Sequence, residues 1–182
     1  MPDDDSREIA SRLYLFIKKE KRMRKERETL VRYAKKEEID PIQELRREVN
    51  TLHAKGRPDL FKSGFGKELQ EHIYVYMTSE NNRVAVDVRE GRVVGMVMFD
   101  WIDRPENAYA PARKFCHIAE ICVAEPFRGQ GVGHALMDFV KEEARHRGVH
   151  RIELDVWDFN DVLEFYEKEG FTVFRRYLEI KL

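Results

Sequence analysis

Three glycines in five positions, Gly129, Gly131 and Gly133, sit between an apolar stretch and an amphipathic one. The full run from Val123 reads Val-Ala-Glu-Pro-Phe-Arg-Gly-Gln-Gly-Val-Gly. Glycines so placed let backbone N–H groups crowd an anion at a helix N-terminus, where unpaired amides and the helix dipole both favour phosphate. The run therefore predicts a phosphate-bearing cofactor gripped by main chain. A dinucleotide fingerprint is the first competitor, since Glu153 lies roughly 20 residues downstream, as that motif asks. Its third glycine fails: position 134 is histidine, and Gly133 comes one residue early. More than half the chain, with a hairpin, also precedes the strand. No Gly-Lys-Ser or Gly-Lys-Thr supports a P-loop. A tight turn of purely structural value is the remaining alternative.

Other reactive residue types carry less. His146 and His150 are four apart, but Gly148 between them ends the helix, so no metal site is expected. Cys116 and Cys122 lie six apart on one predicted strand, roughly 20 Å at strand rise, too far to bridge. Both read as reduced core thiols, and Cys122 as a nucleophile would need a polarising base beside it. Asp155 and Asp158, at one strand end, read as solvated carboxylates.

The elements that must position the glycine turn follow from pattern. With 182 residues, 42% hydrophobic and 37% charged, the chain suits one soluble domain with a real core. A net charge of −1 argues for neither nucleic acid nor an acidic membrane as partner. The longest apolar run, Val93 to Phe99, is far too short to span a bilayer, and Met-Pro-Asp-Asp-Asp is not a signal peptide. A cytoplasmic location is the expectation. Residues 1–28 form a separate charged helical extension. Ile9, Leu13, Phe16 and Ile17 make a small apolar stripe, and Lys18 to Glu28 carries seven basic and three acidic residues. That stripe packs on the body or on a second copy, as a homodimer.

From Leu30 the chain alternates. A short strand runs to Ala34, and Ile39 to His53 has helical spacing through Ile42, Leu45, Val49 and Leu52. A weaker helix starts after Gly66. Val84 to Val88 and Arg92 to Trp101 straddle Glu90-Gly91 as a hairpin. A polar loop, Asp103 to Lys114, leads to the strand Phe115 to Val123. After the glycine turn, Val132 to Arg147 is a helix with Leu136, Phe139, Val140 and Ala144 inward. Ile152, Leu154 and Val156 alternate as a strand, Asp161 to Lys168 is a short helix, and Phe171 to Leu182 supplies one or two closing strands. The expected class is α/β (α+β), with a mixed, mostly antiparallel sheet of six to seven strands and about four helices.

Arg128-Gly129-Gln130-Gly131-Val132-Gly133 resembles the Arg/Gln-x-x-Gly-x-Gly/Ala signature of the GNAT superfamily of acyl-CoA-dependent N-acyltransferases. Ile121-Cys122-Val123, Glu153 to Trp157, and Phe165-Tyr166-Glu167-Lys168-Glu169-Gly170-Phe171 extend the resemblance, which covers residues 29–182 as one domain. It implies a sheet splayed between its fourth and fifth strands and acetyl-CoA as co-substrate, with no metal. Its pyrophosphate would sit on Arg128, Gly129, Gln130, Gly131, Val132 and Gly133, with His134 just behind. Backbone groups near Ile121, Cys122 and Val123 would hold the pantetheine arm, and an amide at or next to Val123 would polarise the thioester carbonyl. Asn160 would bond the arm and Tyr166 would serve as acid beside the sulfur. The family spaces its asparagine seven residues before the tyrosine and places a small residue four before it; here the spacing is six, and Val162 holds the second position.

An alkylammonium must lose a proton before it attacks, so a base is required. By family position His117 and Glu120 both stand open for that role, and strand alternation puts them on opposite faces unless a bulge intervenes. Trp101, Tyr109 and Phe115 are candidates to line an acceptor pocket. Arg57, Asp59, Lys62, Arg104, Glu106 and Arg113 leave its charge mixed. The resemblance implies direct acetyl transfer to a primary amine, of a small molecule or a protein, through a tetrahedral intermediate. A non-catalytic acyl-CoA-binding sensor is the alternative.

Overall fold

The computed structural model describes residues 31–182 together with Arg12. The expected extension, residues 1–28, lies outside the described residues apart from that one arginine. Five strands form one sheet in the order β1 (Val31–Tyr33), β2 (Asn82–Arg89), β3 (Arg92–Arg104), β4 (Arg113–Val123), β5 (Ile152–Leu154). The first four pair antiparallel, and β5 joins β4 in parallel. Glu90 and Gly91, both at positive φ, close the β2–β3 hairpin, as an extended pair with a two-residue turn requires.

Helices cover both faces. On one lie α1 (Ile39–Gly56) and α2 (Lys67–Thr78), burying Ile42, Leu45 and Ile73 with Val86, Met96, Met98 and Cys122. On the other lies α3 (Val132–His146), whose Val132, Leu136, Val140 and Ala144 repeat at helical spacing and pack with Val97, Phe99, Cys116 and Ile118. The short α4 (Leu163–Lys168) brings Phe165 to that second layer. Among the described residues no helix is long and apolar enough to cross a membrane.

Two features of β4 shape the space beside it. Its ladder with β5 is three residues long and stops at Ile118↔Leu154, so the edge from Ala119 to Val123 is unpaired on that side. The splay between the fourth and fifth strands is therefore present. Its ladder with β3 shifts register between Met98↔Glu120 and Phe99↔Ile118, leaving Ala119 as the extra residue of a bulge.

One expectation fails. Among the described residues the sheet has five strands, and residues 171–182, expected to supply one or two closing strands, form no ladder. Val173, Phe174, Tyr177, Leu178, Ile180 and Leu182 are exposed, so alternation in this segment buries neither face. Ion pairs anchor it instead: Glu179 with Arg57 at 3.0 Å, Lys181 with Asp59 at 3.3 Å, and Arg175 with Asp155 at 3.7 Å.

Candidate active site

The opening between β4 and β5 is one cavity of about 890 Å³. The unpaired edge of β4, the glycine turn, α4 and the C-terminal half of α1 wall it. Ala124 N–H donates to Val94 O on β3 at 2.9 Å. Strand alternation then turns the Val123 N–H toward the opening.

The glycine turn is held from behind. Gly131 caps α3 at φ 80°, a left-handed backbone that a Cβ would strain. A Cβ on Gly133 would stand 3.2 Å from the Phe165 ring, so its absence lets α4 close onto the start of α3. Arg128 reaches back, donating to Val123 O at 3.0 Å and pairing with Glu48 of α1 at 3.1 Å. Gln130 is outside the cavity wall: its amide donates to Pro126 O at 2.8 Å, and its carbonyl faces Arg89, itself paired with the fully buried Asp87.

His134 and Glu169 join the two helices. The imidazole Nδ1 lies 2.7 Å from Glu169, whose other oxygen accepts from Lys141 at 2.6 Å. Burial pushes the Glu169 carboxyl up, but the bonds from Lys141 and His134 outweigh it and leave it below the ordinary range. Tyr166, on α4, is 9% exposed between Phe165 and Phe171. Burial pushes its phenol up to about 12. Asn160 lines the same wall from the turn before α4, where its backbone bonds Trp157 O and Val162 N.

The bulge at Ala119 places His117 and Glu120 on one face. Each shares the side of its cross-strand partner, Asp100 and Met98, which are two residues apart. His117 lies 3.7 Å from Asp100 through Nδ1 and 3.6 Å from Asp155 through Nε2. Asp100 raises its pKa above the ordinary value, partial burial works against this, and Asp155 adds to it. Glu120 faces the buried Arg46 at 3.4 Å. Desolvation raises its pKa and Arg46 opposes the rise, while its Oε1 is buried without a partner among the described residues. Arg46 is itself fixed by Leu69 O at 2.7 Å. Burial pushes the Cys122 thiol up to about 12, which leaves no thiolate for nucleophilic work.

The sequence model of the acetyltransferase (GNAT) family matches residues 48–171. This chain belongs to the GNAT family. An uncharacterized N-acetyltransferase of Methanocaldococcus jannaschii is 39% identical over 84 residues, 44% of this chain and 35% of that protein. The aminoalkylphosphonate N-acetyltransferase of Salmonella typhimurium is 30% identical over 112 residues, 61% of this chain and 65% of its own length. This chain thus covers less than two thirds of either relative. Among solved structures, a mutant of the BH1408 protein of Bacillus halodurans superposes with a TM-score of 0.80 at 27% identity, over 84% of this chain and 98% of that one.

GNAT proteins use acetyl-CoA. The residues here fit such a ligand in three respects: a cavity of suitable size, an unpaired strand edge beside it, and a left-handed turn opening a helix. Three contacts at this site escaped the sequence reading. Asp100 and Asp155 flank His117, and Arg46 fronts Glu120; only strand register and helix packing bring them together. Of the aromatic pocket candidates, Phe115 lines a smaller cavity next door. Trp101 packs in the α3 layer, and Tyr109 is 98% exposed.

Proposed function

We propose that the protein is an acetyl-CoA-dependent N-acetyltransferase that acetylates a primary amine by direct transfer. One observation carries the reading: a single cavity is lined by the glycine turn, the unpaired β4 edge, Tyr166 and His117. Acetyl-CoA supplies the activated acetyl group. The chain's own residues do the rest. His117, neutral, accepts the proton the amine must lose, with Asp100 orienting its ring. The Val123 N–H donates to the carbonyl oxygen as charge builds there. Tyr166 donates a hydrogen bond to the leaving thiolate. Glu120, on the same face and held by Arg46, is the alternative base.

Residues 29–182 form the catalytic unit in this reading, with 1–28 an appended arm. The acceptors of the Salmonella relative are amines, which fits the same chemistry. Two buried, unbridged cysteines fit the reducing cytoplasm.

Free thiol released from acetyl-CoA across an amine panel tests the proposal. His117→Ala should lower kcat/KM by about 10²–10⁴, the usual worth of a general base. Binding of acetyl-CoA without acetylation of any amine or protein would instead make the chain an acyl-CoA sensor.

A further inference from the structure

Beside the main cavity lies a second one of about 190 Å³, and the two meet at His117, Leu154 and Asp155. The β3–β4 ladder sets Asp100 opposite His117, Ile102 opposite Phe115 and Arg104 opposite Arg113. Directly opposed residues share a face, and these pairs are two apart, so all six side chains lie on one side of the sheet. Both guanidiniums lie over the Phe115 ring, at 5.2 Å for Arg104 and 4.4 Å for Arg113. Arg175 lines the cavity from the segment after α4.

The charges along this strip are sorted. At the His117 end stand Asp100 and Asp155, which favour a cation. At the far end Arg104 and Arg113 converge over Phe115, and Arg175 stands between the two ends. Arg113 is paired with Glu153 at 2.7 Å and Arg175 stands 3.7 Å from Asp155. Arg104 is exposed and has no ion-pair partner among the described residues. Like charges directly opposed across a ladder repel, and Glu153 answers only one of the two. A bound oxyanion would relieve that repulsion, and the guanidinium fork matches carboxylate or phosphonate oxygens. Phe115 is two strand residues from His117, about 7 Å, so a short aliphatic spacer joins the two ends.

We infer that the acceptor is a primary amine carrying its own anionic group, a carboxylate or a phosphonate. Its nitrogen lies between Asp100 and Asp155 at His117, and its anion lies on Arg104 and Arg113. The inference rests on the acetyltransferase reading for its chemistry, but the anion site stands on this strip alone. A polyamine fits poorly, because its second ammonium would meet the arginines.

The test compares aminobutyrate and aminopropylphosphonate with butylamine and diaminobutane, at saturating acetyl-CoA. The expected kcat/KM is at least about tenfold higher for the anionic amines, the scale of one charge-assisted hydrogen bond. Arg104→Gln should collapse that ratio, chiefly through KM, and Arg104→Lys should restore part of it. The relative response to carboxylate and phosphonate tells which anion the site takes. A preference for diaminobutane, or a ratio that survives Arg104→Gln, overturns the inference while leaving the acetyltransferase reading intact. Calorimetric binding of aminopropylphosphonate to the protein with coenzyme A supplies a readout that needs no turnover. Arg104-dependent binding without acetylation refutes the transferase reading alone, and absence of such binding refutes the anion site.

Discussion

Replacing Tyr166 by phenylalanine tests whether its hydroxyl donates a full proton or only a hydrogen bond. The ring packs edge-on to Phe165 at 5.1 Å and Phe171 at 5.8 Å, contacts that phenylalanine keeps. Only the hydroxyl is lost. With the phenol at about 12 and a thiol near ~8.5, complete proton transfer runs uphill by roughly 5 kcal/mol. A hydrogen bond from the phenol to a developing thiolate is worth about 1.5–3 kcal/mol, so it dominates. Tyr166→Phe should therefore lower kcat about 10- to 150-fold, with little change in the KM for acetyl-CoA. Thiol release measured from pH 6 to 10 gives both quantities. The wild type should show no falling limb from this group, because burial keeps the phenol protonated across that range. A falling limb between roughly pH 8 and 9 that disappears in the variant would refute the argument, since it would mean a phenol far more acidic than its burial allows. An unchanged kcat would remove Tyr166 from the chemistry.

Two further outcomes rest on the same geometry. As a base, His117 must be neutral, so kcat/KM should climb with pH through a pKa above the ordinary ~6.5 and level off beyond it. Asp100→Asn removes the largest cause of that rise, and the limb should move to lower pH; a limb that persists in His117→Ala and is lost in Glu120→Gln instead assigns the base to Glu120. Glu169→Gln removes the charge that links His134 and Lys141 to α4, leaving the partly buried ammonium with only Asp138, at 4.0 Å. It should cost about 2 kcal/mol, a fall in Tm of roughly 4–8 °C, and raise the KM for acetyl-CoA. An unaltered Tm in scanning calorimetry would show that these bonds do not join the helices.

Local signals carried most of the fold and the donor side of the site. The stripe Leu136, Val140, Ala144 and the glycines at 129, 131 and 133 are contiguous in sequence, so periodicity and turn chemistry suffice to find them. The closing strands did not form because Phe171 to Leu182 has the right alternation but no sheet edge to receive it; β5 offers only three residues. A strand is a property of two segments, and one segment's pattern does not report its partner. The acceptor side was illegible for the same reason. Asp100 and His117 are seventeen positions apart in sequence and directly opposed in space. Arg46 reaches Glu120 from a helix seventy-four positions earlier.

The bulge at Ala119 ties these observations together. Without it, Cys116 and Cys122, six apart, would face the same side, and His117 and Glu120, three apart, would face opposite sides. In the fold the parity is reversed. Cys116 packs in the α3 layer and Cys122 in the α1–α2 layer. His117 and Glu120 join Asp100 and Met98 on one face. One inserted residue thus achieves two things at the end of a buried strand. The bulge absorbs Ala119, which keeps both candidate bases on one face, and it falls at the point where the β4–β5 ladder stops and the strand edge becomes unpaired. Deleting Ala119 would make the ladder regular and leave His117 and Glu120, then two apart, on one face, so a loss of activity in that variant would report the kink of the bulge and not side-chain parity. In the proposed mechanism, both candidate bases and the strand edge that would hold the ligand thus flank the same backbone irregularity.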